Sequence, residues 1–281
     1  MKKSKIGILG SLLVLTMILG QIGSVQGTTY TCTGVVGAEA IWKVKTVHPG
    51  ALSEIFGASP TWEISIQTSF GPGSHQQGAR MKSKVTFVNS SYEYNFGLGS
   101  FELCLINSSV WLWTTHPFAV SPNITDSPST IMMHPENLTY YCQIVGAPNN
   151  VSYAVAWSFL DSNFVNFLSA LPIPVATFLS ELVWDDDYSI SGTTVTHNVV
   201  APYTGFVGIT YSVDCVETWR YSSSYGTFLG YKLVHNNGTV AYETELELGE
   251  AAIPGYEFSI IVGVSTASIL GIIIVLMKKR Q

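Results

Sequence analysis

Two apolar segments bracket this chain, and they decide what the residues between them can become. Met1 to Gly27 carries Lys2, Lys3 and Lys5, then an apolar run from Ile6 to Leu19, then small and polar residues ending Val25-Gln26-Gly27. That is the pattern of a secretory signal, and Gly10 and Gly20 interrupt it too early for a long anchor helix. Phe258 to Met277 holds no charge and runs directly into Lys278-Lys279-Arg280. About 20 apolar residues at about 1.5 Å each match a hydrocarbon core of about 30 Å. Basic residues beside a span stay on the cytoplasmic side. The expected organisation is a signal peptide at 1–27, an extracellular domain at 28–250 and a linker at 251–257. A transmembrane helix at 258–277 and a cytoplasmic basic tail at 278–281 follow, giving a single-pass protein of the cell membrane with its N-terminal domain outside.

Charge becomes informative once the ends are set aside. Of 13 Lys and Arg, six lie in the terminal segments, while all 19 Asp and Glu lie between Glu39 and Glu257. Seven bases against nineteen acids leave the exported part at −12. Such a domain repels phosphate backbones and anionic lipid, so nucleic acid is not an expected partner.

Cys32, Cys104, Cys142 and Cys215 all fall in the exported part, where disulfides persist. No pair has the close spacing of a redox motif or a zinc knuckle, so two disulfides are expected. Three connectivities remain open. The nested one, Cys104 with Cys142 inside Cys32 with Cys215, would tie the ends of the domain together and is the expectation adopted. Asn89, Asn107, Asn123, Asn137, Asn150 and Asn237 each open an N-x-Ser/Thr sequon, which implies N-glycans on exposed positions.

Between the ends the rhythm is mostly strand. Ala40–Val47, Trp62–Thr68, Met81–Asn89, Tyr92–Phe96, Gly99–Ile106 and Val110–Thr115 alternate with a period of two, the last with Trp111 and Trp113 on one face. Thr193–Val200, Phe206–Val213, Val216–Tyr221, Phe228–His235 and Thr239–Leu248 continue it. The final two are joined by Asn236-Asn237-Gly238, a tight hairpin needing positive φ. Glu243, Glu245 and Glu247 then mark one wet face of the last strand. Gly50–Phe56 predicts a short helix. Ser152–Leu182, cut by Pro172 and Pro174, predicts two helical pieces, the second opening near Pro174 and ending near Leu182. Ser121–Asn150 reads as an exposed excursion. The fold class is mainly β (α+β): a curved antiparallel sheet with a short central helical insertion, plus one C-terminal transmembrane helix.

The chain lacks the signatures of common chemistry. It has no G-x-S-x-G, H-E-x-x-H, P-loop or dinucleotide fingerprint. His48, His116 and His134 stand directly before Pro and suit turns. His197 and His235 lie on predicted strands, where they could meet across a sheet. Asp185-Asp186-Asp187 is the one dense carboxylate cluster; without the ligand spacing of a calcium loop it reads as a solvated turn. Gly71-Pro72-Gly73-Ser74-His75 reads as a hairpin connection. No catalytic or cofactor-binding residue is assigned, no cofactor is expected, and a metal ligand set is not identifiable.

Within the apolar tail, Ser259, Gly263, Ala267 and Gly271 recur every four residues, a small-residue face through which two spans can associate. Ile253-Pro254-Gly255-Tyr256, the span and the basic tail together resemble the PGF-CTERM class of archaeal C-terminal sorting signals, in its Loki-CTERM type. The resemblance covers about the last thirty residues, and Tyr256 stands where the better-known motif has Phe. It implies processing by an archaeosortase-like membrane enzyme that cuts near the motif. Ile41-Trp42-Lys43-Val44, Leu171-Pro172-Ile173-Pro174 and Gly238-Thr239-Val240 are similar to secreted domains of Asgard archaea, a group that brings no assigned activity.

The functional expectation is a surface-anchored, glycosylated, disulfide-linked ectodomain with a non-catalytic role in recognition, adhesion or the cell envelope, and not an enzyme. A carrier with an apolar cavity against Ala154–Leu182 is the first alternative. The second is a secreted hydrolase, which requires His197, His235 and Asp185–Asp187 to converge in one cleft.

Overall fold

The structure, a computed structural model, describes residues 29–31, 33–95, 100–132, 171–182, 186–205 and 208–248. The chain divides into two units, Met1–Tyr30 and Thr31–Gln281, and the description that follows concerns the second. The expected signal segment and linker, the apolar tail with the expected sorting motif and its small-residue face, Cys32, Cys142, Asn137, Asn150, His134 and Asp185 lie outside the described residues. Among the described residues, no helix is long and apolar enough to cross a membrane.

Among the described residues, the fold is mainly β, with a large antiparallel sheet and three short helices. In chain order the elements are β1 (Glu39–Val47), α1 (Pro49–Phe56), α2 (Thr61–Phe70), β2 (Arg80–Asn95), β3 (Ser100–Thr114), β4 (Ile124–Met132) and α3 (Val175–Glu181). Then come β5 (Tyr188–Ser191), β6 (Thr194–Val199), β7 (Tyr203–Thr204), β8 (Thr210–Tyr211), β9 (Cys215–Tyr221), β10 (Phe228–His235) and β11 (Val240–Leu248). Nine strands form one sheet in the order β4-β3-β2-β1-β11-β10-β9-β6-β5, and β7 pairs with β8 alone.

The two-residue period splits the large sheet into a helix-covered face and a charged face. Trp42, Val44, Met81, Val195, His197, Val199, Tyr231, Leu233, Tyr242 and Thr244 are buried under the helices and the β7–β8 hairpin. Phe70 at the end of α2 packs its ring 4.9 Å from Tyr231 and 5.1 Å from Tyr242. Trp42 reaches across β11 to donate to the Phe228 carbonyl at 2.9 Å. On the other face stand Lys43, Lys45, Arg80, Lys82 and Lys84, ion-paired with Glu39, Glu243, Glu245 and Glu247.

Local chemistry explains the helices. His48 caps α1 by accepting the Ala51 N–H at Nδ1 (3.1 Å), Pro49 sits in the first turn, and Gly57 at φ 99° ends it. α3 begins directly after Pro174 and ends at Glu181, close to expectation. The strand expected at Trp62–Thr68 is instead the middle of α2. Trp62, Ile64 and Ile66 alternate, but Trp62, Ile66 and Phe70 also recur every four residues, and those three are buried while Ile64 is 58% exposed. Pro60 before the segment and Gly71 after it were the stop signals that favoured helix.

Three further expectations are corrected. The pairs of strands read at 81–96 and 99–115 are single long strands, β2 and β3, each kinked by bulges where their register shifts. One bulge, between the Arg80 and Lys82 pairings, separates Trp111 from Trp113. Trp113 donates to the Phe70 carbonyl under the helices, while Trp111 lies beneath the Lys82 ammonium on the charged face. Ser121–Asn150 begins with β4, an edge strand whose Thr125, Ser127, Ser129 and Thr130 mask its period. The Gly71–His75 loop joins α2 to β2, so it is not a hairpin connection; Ser74 is buried there and donates to the Gly71 carbonyl at 2.6 Å.

Cysteine usage also differs. Cys104 is disulfide-bonded, with its partner outside the described residues, but Cys215 is a free, buried thiol. The expected Cys32–Cys215 bond is therefore not formed, and two disulfides reduce to one. Cys215 opens β9 on the helix-covered face, opposite Val199 and His235, with no cysteine in register.

The closing hairpin matches expectation, with a refinement. Only Gly238 takes positive φ (85°), and His235 N–H donates to the Thr239 carbonyl at 2.9 Å, so the turn is a longer loop with one left-handed residue. A second glycine is under tighter constraint. At Gly226 (φ 68°) an added Cβ would lie 1.9 Å from the Leu171 carbonyl oxygen, whereas at Gly192 (φ 58°) it would meet nothing within 4 Å. Gly192→Ala is expected to cost about 1 kcal/mol from backbone strain alone. Gly226→Ala adds a backbone clash and should cost about 3 kcal/mol or more. Urea midpoints followed by tryptophan fluorescence check the order; equal midpoints would contradict the Leu171–Gly226 contact.

Candidate functional site

Strand register assembles one polar cluster on the helix-covered face. Antiparallel pairing sets Tyr188 of β5, His197 of β6 and Glu217 of β9 in a single row. β6 alternates inward Val195, His197 and Val199 with outward Thr194, Thr196 and Asn198, so His197 is only 1% exposed. Its Nδ1 lies 2.9 Å from Glu217 Oε2 and its Nε2 lies 3.0 Å from Asp187 Oδ2. The Tyr188 ring stacks on the imidazole at 4.2 Å and 7°, and Tyr203 meets it edge-on at 5.3 Å. Glu217 Oε1 accepts the hydroxyl protons of Tyr211 (3.0 Å) and Tyr231. β5, β6, β8, β9 and β10 are thereby joined through one imidazole and one carboxylate.

The electrostatics follow from that geometry. Burial by itself would lower the His197 pKa, but the Glu217 hydrogen bond and charge, then those of Asp187, outweigh it and raise the value. Tyr211 and Tyr231 are pushed well above the usual phenol range, first by burial and then by the Glu217 charge. The Cys215 thiol is pushed up by burial, with Glu217 and Asp214 adding to it, so it stays protonated and poorly nucleophilic.

This arrangement binds strands together. Both ring nitrogens of His197 already face carboxylates, so neither is open to take a proton from an incoming group. Among the described residues, no group of three or more His, Cys, Asp or Glu is placed to hold a metal. Asp187 Oδ1 is buried without a hydrogen-bond partner among the described residues.

The residues singled out from sequence are distributed as follows. His197 and Asp187 come together, and Asp186 stays in the exposed turn before β5. His197 and His235 do not meet, because β9 stands between their strands. His235 accepts the Asn237 N–H at Nδ1, which puts its proton on Nε2, 2.9 Å from Glu54 Oε2 though poorly aligned for a hydrogen bond. His48 is a helix cap and His116 is exposed. Asn123 and Asn237 are exposed, Asn89 is half-buried, and Asn107 has a buried Oδ1 without a partner among the described residues. Glu217, Tyr188, Tyr211 and Tyr231 were not anticipated. The available signal was Glu217 at an inward position of an otherwise apolar-alternating strand, which requires a buried partner.

Stability should therefore depend on pH with a definite sign. A folded-state pKa raised above the ordinary 6.5 means that His197 stabilises the fold fully below about pH 6.5. That contribution is lost as pH rises through the folded-state value. His197→Gln should flatten the decline above pH 6.5 and cost about 3 kcal/mol at pH 6. Urea midpoints across pH 5 to 9 for both proteins test this; parallel curves would exclude His197 as the titrating group. Thiol labelling with peptide mapping provides a second check. Cys215 should be labelled only after unfolding, and its modification in the folded protein would contradict the packing of β9.

No protein-family model, no curated protein and no solved structure matches this chain, so the cluster is read from its own geometry.

Proposed function

We propose that this chain is a surface-anchored protein whose exported domain acts by recognition, adhesion or envelope structure, without catalysis. The observation that carries this reading is the charged face of the nine-stranded sheet. Its side chains are held in an ordered ion-pair lattice: Lys45 Nζ lies 2.9 Å from Glu245 Oε2, Lys82 Nζ 2.9 Å from Glu39 Oε2, and Lys43 Nζ 3.6 Å from Glu247 Oε1. The Lys82 ammonium also sits 4.8 Å over the Trp111 ring and the Arg80 guanidinium 5.7 Å over Phe118. A broad, polar, ordered sheet face suits contact with another surface better than it suits enclosing a small substrate.

The sequence supplies the anchoring half of the proposal. The N-terminal apolar run is a signal, Phe258–Met277 is one transmembrane helix, and the Ile253–Tyr256 motif is a sorting signal of the archaeal type it resembles. The finer architecture, a curved sheet around a helical insertion within 152–182, belongs to the same proposal. Asn123 and Asn237 each use Oδ1 to cap a backbone N–H, at 2.9 Å in both cases, which leaves Nδ2 outside that bond for a glycan.

Intact mass and peptide mapping of the native protein from its own membrane, without reduction, test this reading. The expected result is a mature N-terminus near Thr28, glycans on sequon asparagines and a cleaved or membrane-embedded tail. Unmodified asparagines with a retained N-terminal segment would place the domain elsewhere and sink the proposal.

A further inference from the structure

Every Lys and Arg between residues 28 and 257 stands on one of four strands that flank β11 in pairs: Lys43 and Lys45 on β1 and Arg80, Lys82 and Lys84 on β2 to one side, Arg220 on β9 and Lys232 on β10 to the other. Register puts them on one face. Lys43 lies opposite both Arg80 and Glu245, Glu245 opposite Gly230, and Gly230 opposite Arg220, while Lys232 lies opposite Glu243. Among the described residues, the acids ion-paired with these bases are Glu39, Glu243, Glu245 and Glu247. Seven bases against those four acids leave this patch at +3, and the other fifteen of the nineteen acids have no base among them. The overall −12 thus conceals a basic face on an otherwise purely acidic domain. With a screening length of about 8 Å at physiological salt, a partner touching this face meets its local charge and not the total.

A second feature supplies the complement. Glu93 of β2 and Glu102 of β3 are directly opposite in register and both are exposed. Like charges directly opposite each other destabilise a strand pair. Glu102 is two residues from Cys104, so the pair stands on the Cys104 face, opposite to the one that carries the bases. No base of its own exported domain shares that face.

We propose that copies of this chain associate side by side, the basic sheet face of one against the Glu93–Glu102 pair of the next. The contact joins two different patches, so it propagates into rows instead of closing as a two-fold dimer. Exposed ion pairs are individually weak, and the association draws on several together. A shared membrane holds the copies in one orientation and raises their effective concentration. This inference rests on the surface-anchored reading and names the partner of its charged face.

The test uses the full chain in zwitterionic lipid vesicles, as an equal mixture of unlabelled and ¹⁵N-labelled protein. A zero-length carbodiimide joins amines to carboxylates, and mass spectrometry distinguishes isotope-mixed links from those within one chain. Mixed links from Lys82 or Lys84 to Glu93 or Glu102 are expected in low salt and should fall about tenfold in about 0.5 M salt. The double variant Lys82→Glu/Lys84→Glu and the double variant Glu93→Lys/Glu102→Lys should each lose mixed links at every position, those from Lys43, Lys45 and Lys232 to other carboxylates included. Mixing the two variants should restore cross-linking at the same four positions, which misfolded protein cannot do. Absence of mixed links in the wild-type mixture overturns the proposal, as does their persistence in either variant or a failure to recover on mixing. If dextran sulfate binds the vesicles through Lys82 and Lys84 while no mixed links form, the face serves a polyanion and the proposal is equally overturned. Surface placement is checked separately with a membrane-impermeant amine reagent on intact cells. Unlabelled Lys84 in the Glu93→Lys/Glu102→Lys variant, whose basic face is uncovered by loss of the contact, would reject the anchored reading, whatever the vesicles show.

Discussion

The ladder between β1 and β11 is the joint on which the sheet depends. The strand order places β1 to β4 on one side of it and β5, β6, β9 and β10 on the other. Lys45 and Glu245, which pair across it, are 200 residues apart in sequence. Backbone hydrogen bonds alone would leave such a joint marginal, since closing a chain of that length costs entropy before any contact returns it. Here the joint is backed on both faces. Trp42 fills the covered side and bonds beyond β11 to Phe228, while Lys43 and Lys45 clasp the glutamates of β11 on the open side. The exposed pairs add little individually. Burial of Trp42, Val44, Tyr242 and Thr244 under the helices is what selects this register.

The same division of faces sorts the polar chemistry. On the covered side, burial makes each charge expensive unless it is answered, so His197, Glu217 and the two tyrosine hydroxyls converge. This cluster fixes the relative placement of five strands, with a carboxylate facing each nitrogen of its imidazole. On the open side, water screens the charges, and acids and bases pair across the strands at the surface.

Much of the strand pattern was readable because alternation reports directly on a half-buried strand. β1, β6, β9, β10 and β11 emerge within a residue or two of their expected limits, as do α1 and α3. The failures share one cause, which is that local pattern is ambiguous where two periods coincide or where bulges break the count. Trp62, Ile64 and Ile66 fit both a strand and a helix, and only packing of Phe70 against Tyr231 and Tyr242 selects the helix. Trp111 and Trp113 belong to one face by counting, yet a bulge sends them to opposite faces. The pairing of cysteines is not a local property at all. Cys215 is a free, buried thiol opposite Val199 and His235, and nothing in its neighbouring residues marks it as the unpaired one.

By itself the sequence determined the apolar termini, the mainly β character, the closing hairpin at Gly238 and the acidic balance of residues 28–257, because each is a property of neighbouring residues or of a sum. Tertiary structure alone decided that His197 would meet Glu217 and Asp187 but not His235. It also decided that seven scattered bases would gather on one face of the sheet. Those outcomes depend on strand order and register, which bring together residues far apart in the chain, and no local periodicity encodes which strand will lie beside which.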